Sequence, residues 1–516
     1  MASPTVNRRT LVAGAAALWP ARPWARQVDS RGPLQIVGPW EVGPLAPASS
    51  GHLYTNLQVA ETLVNSDDQG RLLPGLAQRW QVSADGLRWR FVLRPTARFH
   101  DGTAVTASQV AQVLRRAHGQ PGPLRLAPLA GVSADDGAGV VQLALTQPWS
   151  LLPALLAHSS TIVLAASAFN HQGQVQHIVG SGPYRVVELA PPQRLRVAWY
   201  PGHDGPVPAV QEVAYLSASR PETRALMAEA GQADIALGLD PASQQRLRHS
   251  ARVQLASVTL PRTVLVKVNA GHPVLQDPRA RQALSLALDR DGMARALLRD
   301  AEVSASQLFP PTLAGWHQPR LPPLHQNLAA ARALWASLGW TPGADGLLQR
   351  QGQPLRLTLR TFPDRPELPL LATALQEQWR QCGLQVAVAI GNASEVPARH
   401  RDGSLELALL ARHYGLVPDP LGTLLQDFAG RGGDWGAMNW QHSGLQQALS
   451  ALSQQHDGAE AAVHRSTVAR VLQEKLPLIP VSWYRQTAAV APRWSGFSLD
   501  PLERSYRLTQ LRPRQP

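Results

Sequence analysis

Lysine is nearly missing from this chain: Lys267 and Lys475 are the only two, so arginine supplies 47 of its 49 basic side chains. The formal net charge is +13, yet the arginines are scattered, with no basic run and no patch interleaved with aromatics. A nucleic-acid surface needs such a footprint, and its absence excludes that partner. A basic surface that helps an anionic ligand to approach stays open. Cysteine is reduced to Cys382, so no intramolecular disulfide can form. Lying just before Gly383 at the end of an apolar helical pattern, it reads as a small packed residue. Charged residues are only 16% against 44% hydrophobic, which excludes wholesale disorder. Long apolar runs are lacking too. None approaches the roughly 18 residues of a membrane span, and residues 151–156 and 161–168 read as core. A Gly-x-Ser-x-Gly elbow and a His-Glu-x-x-His helix are both absent, and the 16 histidines show no paired spacing of a closed metal site. An exported hydrolase would need a nucleophile, a base and an orienting group. The adjacent His100 and Asp101 belong to a turn, so the chain is read as no enzyme.

What is present begins with length: 516 residues predict about three structural units at roughly 150 residues each. Asn7-Arg8-Arg9-Thr10-Leu11-Val12 places two arginines directly before a short apolar run, residues 11–19, and a Pro/Arg-rich stretch follows. This pattern resembles a twin-arginine export signal, with Leu11 where Phe is usual and Ala25 as the best cleavage position. The run is too short to anchor. Residues 1–26 are therefore read as a signal peptide and the mature protein as periplasmic.

Strand and helix patterns then alternate. Leu87, Trp89, Phe91 and Leu93 alternate with arginines, the period of a half-buried strand. Thr106-Ala107-Ser108-Gln109 has the form of a capping box, followed by Val110, Val113, Leu114 and Ala117 at helical spacing. Asp277-Pro278 supplies an N-cap and a first-turn proline before Ala280, Ala283, Leu284, Ala287 and Leu288 on one helical face. Leu371, Leu375 and Trp379 mark a helix that stops at Gly383, and Leu384, Val386, Val388 and Ile390 a strand. Alternation of this kind implies α/β layers. Gly86 and Gly102 suit turns with positive φ. The proline-rich stretches 306–323 and 341–369 read as surface connections.

Several ordered blocks carry a resemblance: Glu61-Thr62-Leu63-Val64, Leu73-Pro74-Gly75-Leu76-Ala77, Ala84-Asp85-Gly86-Leu87, Phe99-His100-Asp101-Gly102-Thr103, Gly182-Pro183-Tyr184, the segment 277–284, Ala331-Arg332-Ala333-Leu334-Trp335 and Pro477-Leu478-Ile479-Pro480. Together they resemble the family 5 extracellular solute-binding proteins of ABC importers, which carry peptides, nickel or opines. The fold this implies is two-lobed α/β, the type II "flytrap" arrangement, with an extra subdomain and two crossover strands. The crossovers are expected near 263–269 and 476–484. Lobe one would span 27–262 with the subdomain at about 43–177, lobe two 263–478, and 479–516 would return to lobe one. Most of these blocks hold the fold; Arg281 is expected to make a structural ion pair. The implied protein is a monomer that captures a small molecule between its lobes and hands it to a permease and ATPase. A sensor built on the same fold is the alternative role.

The segments 40–45, 352–356, 399–403 and 412–420 look most like the nickel-binding branch. In peptide-binding members an Asp three residues before an Asp-Pro pair holds the peptide's amino terminus; here Leu416 stands before Asp419-Pro420. A buried ammonium without a carboxylate is costly, so a simple peptide should bind poorly. The resemblance implies an aromatic wall at Tyr414. Arg412 can offer a planar fork to a carboxylate. His413 is the single metal-ligand candidate, or else a hydrogen-bonding wall residue. Tyr54, Trp435 and Trp440 are further wall candidates, or core. The arginines that nickel-binding members use do not carry over to 119–125 and 157–162. No resident cofactor is expected; a bound metal chelate would be cargo.

Overall fold

The computed structural model describes residues 32–514 except 364 and 456. The expected signal peptide lies outside the described residues. No described helix is long and apolar enough to cross a membrane.

One ten-stranded sheet runs through the molecule. Its order is Gln385–Ile390, Arg356–Thr361, Leu407–His413, Gln254–Val268, Leu478–Val490, Ile235–Leu237, Leu34–Gly38, Glu212–Ser217, Arg194–Trp199 and Tyr184–Ala190. The two central strands are the longest of the sheet, 15 and 13 residues, and they pair antiparallel from Gln254↔Val490 to Lys267↔Leu478. They overlap both segments expected to cross between lobes. The first half of Gln254–Val268 pairs with residues 484–490 of Leu478–Val490, and the end of that strand pairs in turn with Ile235–Leu237 of the amino-terminal half. Beyond Pro261 the strand Gln254–Val268 pairs with Leu407–His413 in the other half, from Arg262↔His413 to Val268↔Leu407. The register with Leu478–Val490 shifts between Leu260 and Thr263. Proline brings no N–H to the ladder, so a break at Pro261 is its natural place. This irregularity sits where the chain passes from one lobe to the other.

A separate four-stranded sheet, ordered Ala77–Val82, Arg88–Leu93, Val140–Leu145 and Leu129–Asp135, packs with the helix Ala107–His118. The local signals for it read correctly. Thr106 and Gln109 close a capping box, Phe91 is fully buried, and Gly86 and Gly102 take φ of 71° and 84°. Asp277 caps the helix Pro278–Leu286 by accepting from the Arg279 N–H.

Two readings change. Segment 306–323 is more than a surface connection: Leu308, Phe309, Leu313 and Trp316 are buried in the core. Segment 341–369 includes the strand Arg356–Thr361 of the main sheet. Arg281 is structural, but through carbonyls: it donates to the carbonyls of Leu275, Gln276 and Lys475 at 2.7, 3.0 and 2.9 Å. Lys267 is fully buried on a crossover strand, donating to the Gly433 and Asp434 carbonyls and facing His400 Nδ1 at 2.8 Å. Burial lowers its ammonium to about 7.

Candidate ligand-binding site

Two adjoining chambers open where the crossover strands pass between the lobes, with cavity volumes of about 300 and 350 Å³. Both are lined by Trp40, Arg262, Leu416, Gln486 and Glu503, which makes them parts of one cleft. That size suits a small molecule.

The sheet register assembles the polar chamber. Pairing of Arg262 with His413 puts both side chains on one face of the sheet. Glu503, from the carboxy-terminal segment, reaches between them: Arg262 Nη2 donates to Glu503 Oε2, and His413 Nε2 lies 3.3 Å from the same oxygen. Glu503 holds φ at 53°, a left-handed conformation that costs a non-glycine residue about 1–2 kcal/mol. Burial alone would raise its carboxyl, but Arg262 and His413, with Arg365 beyond, hold it well below the usual carboxylate range. Burial lowers His413 to about 4, with Glu503 opposing. Arg365 comes from the loop before the helix Glu367–Arg380, and its guanidinium lies 5.0 Å from the centre of the Tyr484 ring and 5.9 Å from that of Trp40. Arg262 sits 5.0 Å from the same Tyr484 ring. The second chamber is mostly apolar, with Trp40, Ile235, Leu237, Phe497, Leu499 and Tyr506 in its wall.

Three of the six expected site residues reach this cleft: Arg412, His413 and Trp435 line the polar chamber. Trp435 stands edge-on to Phe362 at 6.3 Å. The Arg412 fork is already engaged, Nε and Nη2 donating to the two Asp427 oxygens at 2.9 and 2.6 Å. It is therefore not free to clamp a ligand carboxylate. His413 Nδ1 accepts the Gly415 N–H at 2.9 Å, so the ring proton sits on Nε2, facing Glu503. Neither nitrogen offers a lone pair to a metal, and the hydrogen-bonding wall role fits the geometry. No cluster of three or more His, Cys, Asp or Glu among the described residues could hold a metal ion.

Tyr54, Tyr414 and Trp440 line neither chamber. Tyr54 is fully buried in the core of lobe one. Tyr414 is fully buried behind the cleft, edge-on to Phe309 at 5.5 Å. Trp440 packs between Phe428 and His442. The residues missed were Arg262, Arg365, Glu503, Tyr484 and Trp40 as cleft walls. Trp40 alone had a signal, within the nickel-like segment 40–45. Leu416 does face the cleft, 41% exposed, where a peptide amine would need a carboxylate.

Two lobes, crossover strands and a walled cleft define a binding receptor of the flytrap class. The comparisons with known proteins agree. The family described as "Bacterial extracellular solute-binding proteins, family 5 Middle" matches residues 71–435. The chain is 24% identical over 514 residues to the nickel-binding periplasmic protein of Escherichia coli strain K12, covering 95% of this chain and 96% of that one. It is 22% identical over 395 residues to the dipeptide-binding protein of the same strain, covering 71% of each. NikA from Brucella suis in complex with Fe(III)-EDTA shares the fold, with a TM-score of 0.83 and 20% identity over 93% of this chain and 100% of that chain. The chain belongs to the family 5 extracellular solute-binding proteins. It is a substrate-binding protein of an ABC importer, acting outside the cytoplasm.

Proposed function

We propose that this receptor captures a small anionic or zwitterionic ligand, foremost a chelator carrying a metal such as nickel, and delivers it to its permease and ATPase as a monomer. The observation that carries the reading is the composition of the cleft. Among the described residues its polar chamber is lined by four arginines, Arg224, Arg262, Arg365 and Arg412, and a single carboxylate, Glu503. Arg224 is tied to the carbonyls of Ala218, Ser219, Leu237 and Gly238, and Arg412 to Asp427. That leaves Arg262 and Arg365 against one Glu503, an excess of positive charge. A chelator would bring its own coordination sphere, in keeping with a cleft that assembles no ligand set. Similarity to a nickel-binding protein and to one holding Fe(III)-EDTA supports the same reading. An opine, also small and anionic, would suit the cleft on the same grounds; an oligopeptide would leave its ammonium against Leu416.

Calorimetric titration of the apo protein tests this. Ni²⁺ premixed with L-histidine should bind in the micromolar range, about −8 kcal/mol. Free Ni²⁺, dialanine and trialanine should bind at least tenfold more weakly. Small-angle scattering should show compaction with the chelate, because a ligand touching both lobes favours the closed state. Micromolar binding of a peptide with no response to the chelate would restore the peptide reading.

Export through the twin-arginine route is also proposed, on Arg8-Arg9 before the apolar run. Replacing both arginines with lysine should keep the protein in the cytoplasm on fractionation. Unchanged periplasmic appearance would reject that route.

A further inference from the structure

One buried donor in the cleft has no protein acceptor, and a second cation beside it has no carboxylate in contact among the described residues. Arg262 is 95% buried by its 5% relative exposure, and its Nη1 has no hydrogen-bond partner among the described residues. Arg365 forms no ion pair among the described residues; its guanidinium lies against the rings of Tyr484 and Trp40 and hydrogen-bonds the Tyr484 side chain. A charged donor buried without an acceptor is among the costliest features a fold can carry. Arg262 carries such a donor, and Arg365 shares the Tyr484 ring with it, each 5.0 Å from its centre. Among the described residues the one carboxylate lining the polar chamber, Glu503, is held by Arg262 Nη2 and faces His413. The nearby Glu367 is fully packed away, and burial raises its carboxyl toward the neutral acid. Arg262 Nη1 thus keeps a free donor, and Arg365 beside it a charge with no carboxylate in contact among the described residues, so the pair can take a second oxyanion.

The position of this pair is as informative as its charge. Arg262 lines both chambers, while Arg365 lines only the polar one. An oxyanion between them would sit at the mouth of the apolar chamber. We infer that the cleft recognises a ligand in two parts: one free carboxylate is clamped by Arg262 Nη1 and the fork of Arg365, and an aromatic or branched apolar arm fills the chamber of Trp40, Ile235, Leu237, Phe497 and Tyr506. This rests on the reading of the cleft as a receptor for small anionic ligands and says which end goes where. Arg365 lies on lobe two, Arg262 on the crossover strand and Trp40 on lobe one, so the same ligand would join all three parts. Differential contact of that kind is what closes a hinge. The planar guanidinium matches a carboxylate through two parallel bonds, a match that lysine cannot reproduce.

The test uses metal-free probes on the full mature protein, so that it stands apart from the nickel reading. Binding of 3-phenylpropionate, 3-phenylpropanol and propionate is measured by calorimetry and by tryptophan fluorescence, since Trp40 and Trp435 line the cleft. The acid is expected to bind at least tenfold more tightly than the alcohol, which lacks the head, and than propionate, which lacks the arm. R365Q should bring acid and alcohol to within about twofold of each other, and R365K should restore only part of the preference. F497A should narrow the gap between phenylpropionate and propionate while the acid still outbinds the alcohol. Equal binding of acid and alcohol to the wild type, no binding of either, or a preference that survives R365Q would overturn the inference. Nickel with histidine, run as a separate arm, decides the chelate reading without touching this one.

Discussion

Replacing Tyr414 with alanine should destabilise the protein by about 3–5 kcal/mol, the usual cost of deleting a large aromatic from a packed core. The ring is fully buried and stands edge-on to Phe309, which itself packs on Trp316. Its backbone N–H donates to the Pro261 carbonyl at 2.7 Å, beside the irregularity of the crossover strand. The cavity left by alanine would thus open directly behind the passage between lobes. Tyr414→Phe should behave quite differently. The hydroxyl is buried with no partner among the described residues, and burial pushes its ionisation well above the usual tyrosine range. Removing an unsatisfied hydroxyl recovers its desolvation cost, so the phenylalanine variant should be as stable as the wild type or more so. Urea unfolding of the three proteins checks both. An alanine variant of unchanged midpoint that no longer binds ligand would return Tyr414 to the cleft wall.

Asp427→Ala should cost a similar amount, about 3–5 kcal/mol, for an electrostatic reason. Asp427 is 1% exposed and receives both arms of the Arg412 fork. Burial tends to lower the Arg412 guanidinium, but Asp427 raises it above its ordinary value, so Arg412 is held charged. Removal of the acid strands a positive charge that has lost its water and its partner. The attraction within the pair does not imply that the pair as a whole stabilises the fold, because two desolvation costs stand against it. Removing both charges together, as Arg412→Met with Asp427→Leu, should therefore recover most of the lost stability. The cycle of single and double variants measured by urea unfolding separates these terms. A double variant as unstable as Asp427→Ala would show that packing, rather than the stranded charge, sets the cost.

These two residues also show where reading the chain stops. Arg412, His413 and Tyr414 were expected together because they are consecutive and lie in a nickel-like segment. Consecutive residues on an extended chain cannot all face one side. Their faces depend on which partner strand each opposes, and that was settled by Arg262↔His413 and Thr263↔Arg412. Tyr54 and Trp440 were ambiguous for a simpler reason. An aromatic that lines a cleft and one that fills a core present the same local pattern. Arg365 and Glu503 left no local trace at all. One precedes a helix and the other sits in an irregular tail, 138 positions apart by their numbers.

Local order was legible because its causes are local. The capping box of Thr106 and Gln109, the Asp277 cap, the alternation around Phe91 and the turns at Gly86 and Gly102 involve residues a few positions apart. The order of blocks along the chain was enough for the family and hence for the two-lobed fold. So was one negative, Leu416 at a position that faces the cleft. Only the tertiary structure decided which charges are satisfied. Arg412 is closed on Asp427, whereas Arg262 keeps a free donor and Arg365 meets Tyr484 and Trp40 but no carboxylate among the described residues. Arginines read alike in a sequence. They differ here because burial and partner geometry, set by strands hundreds of residues apart, determine which of them still needs an anion.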